Sequence, residues 1–318
     1  MNREIEESCN NIWTQCMGLS AHENALIVTD DEKKDLGDAL YRSAKALGAN
    51  VTLIQMPVAK VSGEEPPASV SAAMMHADVI ICPTEQSITH TAARIQAVKN
   101  GARIATMPGI TEKMFREGPI CADYSIVEKV TDQYAELLTQ AASCRVITER
   151  NHEIILNLSG RKGIASTGVY RNSGQAGNLP SGEAYIAPLE DGANGEFCVN
   201  GSIVGVGILQ SPIILKLKQG RLIEISGDQS GEVARAIPDN TLSRTIGELG
   251  IGTNTQAHLT GIILEDEKIS GSIHLAFGTN VSFGGTVKAS SHIDCVTLNP
   301  TVYFDDVLVI QDGKFLLS

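Results

Sequence analysis

The sequence lacks any run approaching about 18 consecutive apolar residues, so no transmembrane helix is expected. Its opening segment, Met1-Asn-Arg-Glu-Ile-Glu-Glu7, is charged and has no apolar stretch of the signal-peptide kind. A soluble cytoplasmic protein is expected. Lys/Arg-rich runs are also missing, and 25 Lys+Arg against 37 Asp+Glu leave a net charge of −12. That balance argues against nucleic acid or an anionic membrane as a partner. The seven scattered cysteines contain no CxxC pair, which excludes a zinc ribbon or a thioredoxin-like motif. They read as reduced, buried thiols. There is no GxSxG elbow or P-loop, and a covalent Ser or Cys mechanism is unsupported. Apolar residues, in contrast, are plentiful. At 42% of 318 residues they can build a full core, exclude a disordered chain and suggest about two domains.

The first ~145 residues alternate short apolar runs with helical patterns. Strands are expected at Asn24–Thr29, Asn50–Gln55, Asp78–Cys82 and Ala102–Thr106. Helices are expected at about Asp31–Leu47, Ala68–Ala77, Ile88–Asn100 and Asp123–Ser143. This alternation implies a parallel sheet covered by helices, a fold that often binds ligands at the carboxyl ends of its strands. A dinucleotide is disfavoured, because the first strand runs into Thr29-Asp-Asp-Glu-Lys-Lys34 with no glycine-rich turn. The polar segment Pro83–His90 suits either a ligand loop or a Ser/Thr helix cap.

From about Val146 the pattern changes to short apolar runs between glycine turns, including Ile154–Leu158, Ile203–Ile208 and Ile213–Leu217. Lys218-Gln-Gly-Arg221 and Gln311-Asp-Gly-Lys314 read as hairpin turns. One helix is expected within Glu232–Leu249, interrupted by Pro238. The expected architecture is therefore α/β, with a parallel-sheet domain at residues 1–145 and a β-rich α+β domain at 146–318.

Candidate chemistry concentrates in the second half. In Ser291-His-Ile-Asp294 an extended backbone puts His292 and Asp294 on one face, an imidazole and a carboxylate for one cation. His274 lies in His274-Leu-Ala-Phe-Gly278, where Ala and Gly leave room beside the ring. Glu183 sits in Asn178-Leu-Pro-Ser-Gly-Glu-Ala-Tyr-Ile-Ala-Pro188. Glu248 sits in Ile246-Gly-Glu-Leu-Gly-Ile-Gly252, whose glycines permit close backbone approach. Each has a plainer reading. A His-x-Asp pair is commonly a surface or hydrogen-bonded pair, and a Glu among glycines is commonly a turn residue. As a set, two Glu, two His and one Asp suit Zn²⁺, Mn²⁺, Co²⁺ or Fe²⁺ better than Ca²⁺ or an iron–sulfur cluster. Other acidic runs, Asp30-Asp-Glu32 and Glu265-Asp-Glu267 among them, read as solvated surface.

Those blocks, in that order, resemble the M29 (aminopeptidase T/S) metallopeptidases. The resemblance implies a cytoplasmic homodimer that releases N-terminal residues from short peptides. It implies two divalent ions (Zn, Co or Mn) about 4 Å apart that activate a water. Glu183, Glu248, His274, His292 and Asp294 would be the ligands. Glu183 and Glu248 would be the catalytic carboxylates, with Glu248 bridging the metals. Val281 departs from the family, whose peptidases carry a tyrosine seven residues after the histidine. The same fold resembles that of 2,5-dihydroxypyridine dioxygenases, in which one Fe(II) is held by histidines and an aspartate. His274, His292 and Asp294 would then form the triad.

Overall fold

The computed structural model describes residues 3–316. It separates into two compact units, Met1–Ile126 with Gly168–Ser181, and Val127–Thr167 with Gly182–Ser318. This division differs from the expected boundary at 145 in two respects. The change of unit falls inside the helix Tyr124–Gln140, and a later segment returns to the first unit. The reason is strand pairing. Ala176–Asn178 adds to the edge of the first sheet by pairing in parallel with the strand Arg103–Pro108.

The first unit carries a five-stranded sheet whose pairs are all parallel. Its other strands, Asn24–Asp30, Asn50–Met56, Val79–Thr84 and Arg103–Pro108, fall where the apolar runs placed them. Leu26, Val28, Ile80, Cys82 and Ile104 are buried in a core shared with Val70, Met74 and Ala97 of the intervening helices. Pro83–His90 leads into a helix cap. The Thr91 hydroxyl accepts from the Arg94 backbone N–H at the start of the helix Ala92–Lys99. Asp30 is buried rather than solvated, because its carboxylate accepts from the backbone N–H groups of Glu32, Lys33 and Glu85.

The second unit holds an eight-stranded and a seven-stranded antiparallel sheet. They share one core: Val146, Ile154, Leu156, Phe197 and Leu215 from the first meet Ile186, Leu249, Ile251, Leu275 and Phe277 from the second. Both expected hairpin turns form. Gln219 and Gly220 have φ of 48° and 71°, and Asp312 and Gly313 have 48° and 73°, the left-handed pair a tight hairpin requires. The expected strand over 203–208 is instead two short strands, Ser202–Ile203 and Gly207–Ile208, folded back on each other. The helix sought within 232–249 is Ser230–Ala236. Pro238 follows it, and Ile246–Gly252 forms a fully buried strand.

Glu265-Asp-Glu267 is likewise buried in large part. Asp266 accepts the Ser202 hydroxyl at 2.6 Å and the backbone N–H groups of Thr260 and Gly261 at 2.7 and 2.9 Å. All seven cysteines are free thiols, and six are buried. No helix among the described residues is long and apolar enough to cross a membrane. Asp266→Ala should strand the buried Ser202 hydroxyl and the half-buried Thr260 and Gly261 N–H groups and cost roughly 3 kcal/mol in urea unfolding. A loss below about 1 kcal/mol would show that the 260–266 turn supports itself.

Candidate metal centre

The site is built on one face of the seven-stranded sheet. Antiparallel pairing sets Glu248 opposite Ala276, and Ala276 opposite Asp294. Two residues along, His274 faces Gly250 on one side and Val296 on the other. His292 faces Gly278, and Glu183 faces Gly252. Because side chains alternate between faces, this register puts Glu183, Glu248, His274, His292 and Asp294 on one side. Leu249, Ile251, Ile273, Leu275, Phe277 and Cys295 point into the core from the other.

All five sequence-derived candidates come together here. The His274 Nε2 lies 3.2 Å from Glu248 Oε1 and 3.7 Å from Glu183 Oε2. The His292 Nε2 lies 3.5 Å from Glu248 Oε2 and 3.4 Å from Asp294 Oδ1. His292 Nδ1 donates to the Thr279 carbonyl oxygen at 2.8 Å, which leaves Nε2 as the ring's ligand atom. Three overlapping sets place one donor atom from each residue within 4.8 Å: Glu183/Glu248/His274, Glu248/His292/Asp294 and Glu267/His274/Asp294. Gly250 makes the packing possible. A Cβ there would stand 2.0 Å from His274 Nε2, so the imidazole lies directly over bare backbone.

Two further members were not found in the sequence. The Lys268 side chain is 1% exposed, and its Nζ lies 2.7 Å from Glu183 Oε1 and also against Glu267. The signal was the apolar flanks, Ile263-Leu264 before the charged run and Ile269 after it, which mark that run as semi-buried. An aromatic edge forms the second addition. Phe283 meets His292 edge-on at 6.0 Å and Tyr185 at 5.4 Å. Val281, where the peptidase family carries tyrosine, is 51% exposed.

Electrostatically the face demands positive charge. Burial alone would depress the His274 pKa, but the hydrogen bond and charge of Glu248, with Glu183 and Glu267, lift it to about 9. Burial is likewise overcome at His292, which Asp294, Glu248 and the Thr279 carbonyl raise to about 10. Burial would raise Asp294, yet His292, His274 and Lys268 hold it at about 2. Burial, aided by Glu183 and Asp294, lifts Glu267 to about 8 against the Lys268 charge. Burial opposes the Lys268 ammonium too, and Glu183 and Glu267 more than offset it. Imidazole and carboxylate donors converging in a dry pocket fit a borderline divalent metal. Bound metal would replace the protons that His274 and His292 otherwise hold.

Both histidine pKa values lie above the 6.5 of the free side chain. Metal-free protein therefore gains stability from them that is full below pH 6.5 and lost as pH rises through about 9 and 10. Its urea midpoint should fall across that window; a rising midpoint would contradict the electrostatics. Gly250→Ala should displace His274 and weaken metal binding at least about tenfold by titration. Unchanged affinity would show that the ring has room elsewhere.

Comparison with known proteins supports the fold and gives the family. Over the full length the fold matches 2,5-dihydroxypyridine dioxygenase from Pseudomonas putida KT2440, with a TM-score of 0.80, 18% identity and coverage of 99% and 97% of the two chains. It also matches AmpT from Thermus thermophilus, with a TM-score of 0.73, 15% identity and 99% coverage of each chain. In sequence, the chain is 24% identical over 259 residues to a 2,5-dihydroxypyridine 5,6-dioxygenase of Pseudomonas putida, covering 76% of this chain and 71% of that protein. The model of the NicX family, described as 2,5-dihydroxypyridine 5,6-dioxygenase, matches residues 4–317. That span takes in both units and every residue of the metal-binding face, and so the chain belongs to the NicX family.

Proposed function

We propose that the protein is a metal-dependent ring-cleaving dioxygenase that uses one Fe(II) and acts on a 2,5-dihydroxypyridine-like substrate. The observation that carries this reading is that His292 and His274 each bring a ring nitrogen within 4.8 Å of an Asp294 oxygen, on one face of a chain that belongs to the NicX family. These three would hold the ion, with Glu248 beside them. A bound Fe(II) supplies the redox chemistry and open positions that oxygen insertion needs.

The chain's own residues supply the rest. His274 is fully buried, whereas 28% of the His292 side chain is accessible, so substrate approaches from the His292 side. There the edges of Phe283 and Tyr185 offer a wall for a flat aromatic ring. Glu248 stands against both imidazoles and can take a proton from a substrate hydroxyl. The buried apolar floor under the sheet keeps water from behind the ligands.

A second reading, the two-metal aminopeptidase expected from the sequence, is favoured by one feature. Glu248 lies between His274 and His292, with one oxygen toward each, as a bridging carboxylate would. Exposed Val281 weakens that reading, because it offers no phenol to a scissile carbonyl.

Fe(II)-loaded protein should consume one O₂ per dihydroxypyridine and bleach the ring's ultraviolet absorption. His292→Ala should lower this rate at least about 100-fold, matching or exceeding the usual loss from disturbing a metal site. Absence of oxygen uptake across a panel of dihydroxylated pyridines and benzenes would overturn the oxygenase reading. Release of N-terminal residues from short peptides with Zn²⁺, Co²⁺ or Mn²⁺ would establish the second.

A further inference from the structure

The five sequence-derived ligands could in principle serve two ions, and the segment following the short helix Ile263–Asp266 bears on which arrangement forms. Two of the three donor sets that this face offers include a carboxylate already engaged. Glu183 belongs to one and Glu267 to another, and the Lys268 ammonium contacts both. Among the described residues, only Glu248/His292/Asp294 has no member in contact with Lys268 at ion-pair distance.

We infer that Lys268 is a built-in cation that stands where a second metal ion would need Glu183, and so restricts the face to one ion, held by His274, His292 and Asp294 beside Glu248. The His274 Nε2 is 3.2 Å from Glu248 Oε1.

A carboxylate oxygen 2.7 Å from a buried ammonium is a charge-assisted hydrogen bond, and pulling it away strands an unpaired buried charge. A divalent ion placed at Glu183 would also lie within a few ångströms of the ammonium, where the low-dielectric surroundings make like charges repel strongly. Lys268 is thus a positioning residue: it holds Glu183 and Glu267 away from the ion. This inference does not depend on which reaction the protein catalyses, since it concerns ion count rather than turnover.

The test is Mn²⁺ binding to the full chain, read as ions per chain by elemental analysis after gel filtration and by titration. Wild-type protein should bind one Mn²⁺; two per chain would overturn the inference whether or not oxygen uptake is seen. Lys268→Gln should raise the count toward two, and a folded variant that still binds one ion with unchanged affinity would overturn it. Should Lys268→Gln fail to fold, Glu183→Gln decides the matter. It should still bind one Mn²⁺ with a Kd within about tenfold of wild type, and loss of the ion would show that Glu183 is a ligand.

Discussion

Three carboxylates on one sheet face, Glu183, Glu248 and Asp294, and a fourth, Glu267, from the turn after Ile263–Asp266 need positive charge beside them. In a protein interior an uncompensated ionised acid is so costly that the group gives up its charge or the fold gives way. Here Lys268 answers part of that demand permanently, through Glu183 and Glu267. His274 and His292 answer the rest, as imidazolium ions without metal and as neutral ligands with it. The raised pKa values and the ion pairs are thus two views of one constraint, and the proposed divalent ion would answer the same demand.

The sandwich makes that constraint bearable. Strand alternation commits one face of the seven-stranded sheet to the shared hydrophobic core, with Leu249, Leu275 and Phe277 locking the register. A slip of one residue would send Glu248, His274 and Asp294 into the core. The same rigidity fixes the ligands: His274 lies over Gly250, and the Thr279 carbonyl sets the His292 tautomer. Asp266 does comparable work nearby by tying Ser202 to the 260–261 turn, which anchors the segment that delivers Lys268.

Much of this was legible in the sequence for a physical reason. Period-two alternation in His292-x-Asp294 and the small residues after His274 report directly on which side chains share a face. Four of the five strands of the parallel sheet were equally clear, because each carries a short apolar run, nearly all of it buried in Asn24–Asp30 and Val79–Thr84. Legibility failed where long-range pairing decides. Nothing local says that Ala176–Asn178 joins a sheet whose neighbouring strand lies some seventy residues earlier, at Arg103–Pro108. Glu265-Asp-Glu267 looked like solvated surface because composition cannot show that all three acids find partners. The resemblance to M29 peptidases rested on ligand residues that two chemistries share. The family relationship lies with the NicX dioxygenases, and the fold is common to AmpT as well.

What separates the two chemistries on this scaffold is the number of ions the face accepts. The most direct measurement is a crystal structure of Fe(II)- or Mn(II)-loaded protein with anomalous data at the metal edge. The account requires a single anomalous peak, within ligand distance of His292 Nε2 and an Asp294 oxygen, with Lys268 still paired to Glu183. Two peaks about 4 Å apart, one of them between Glu183 and Glu248, would contradict it.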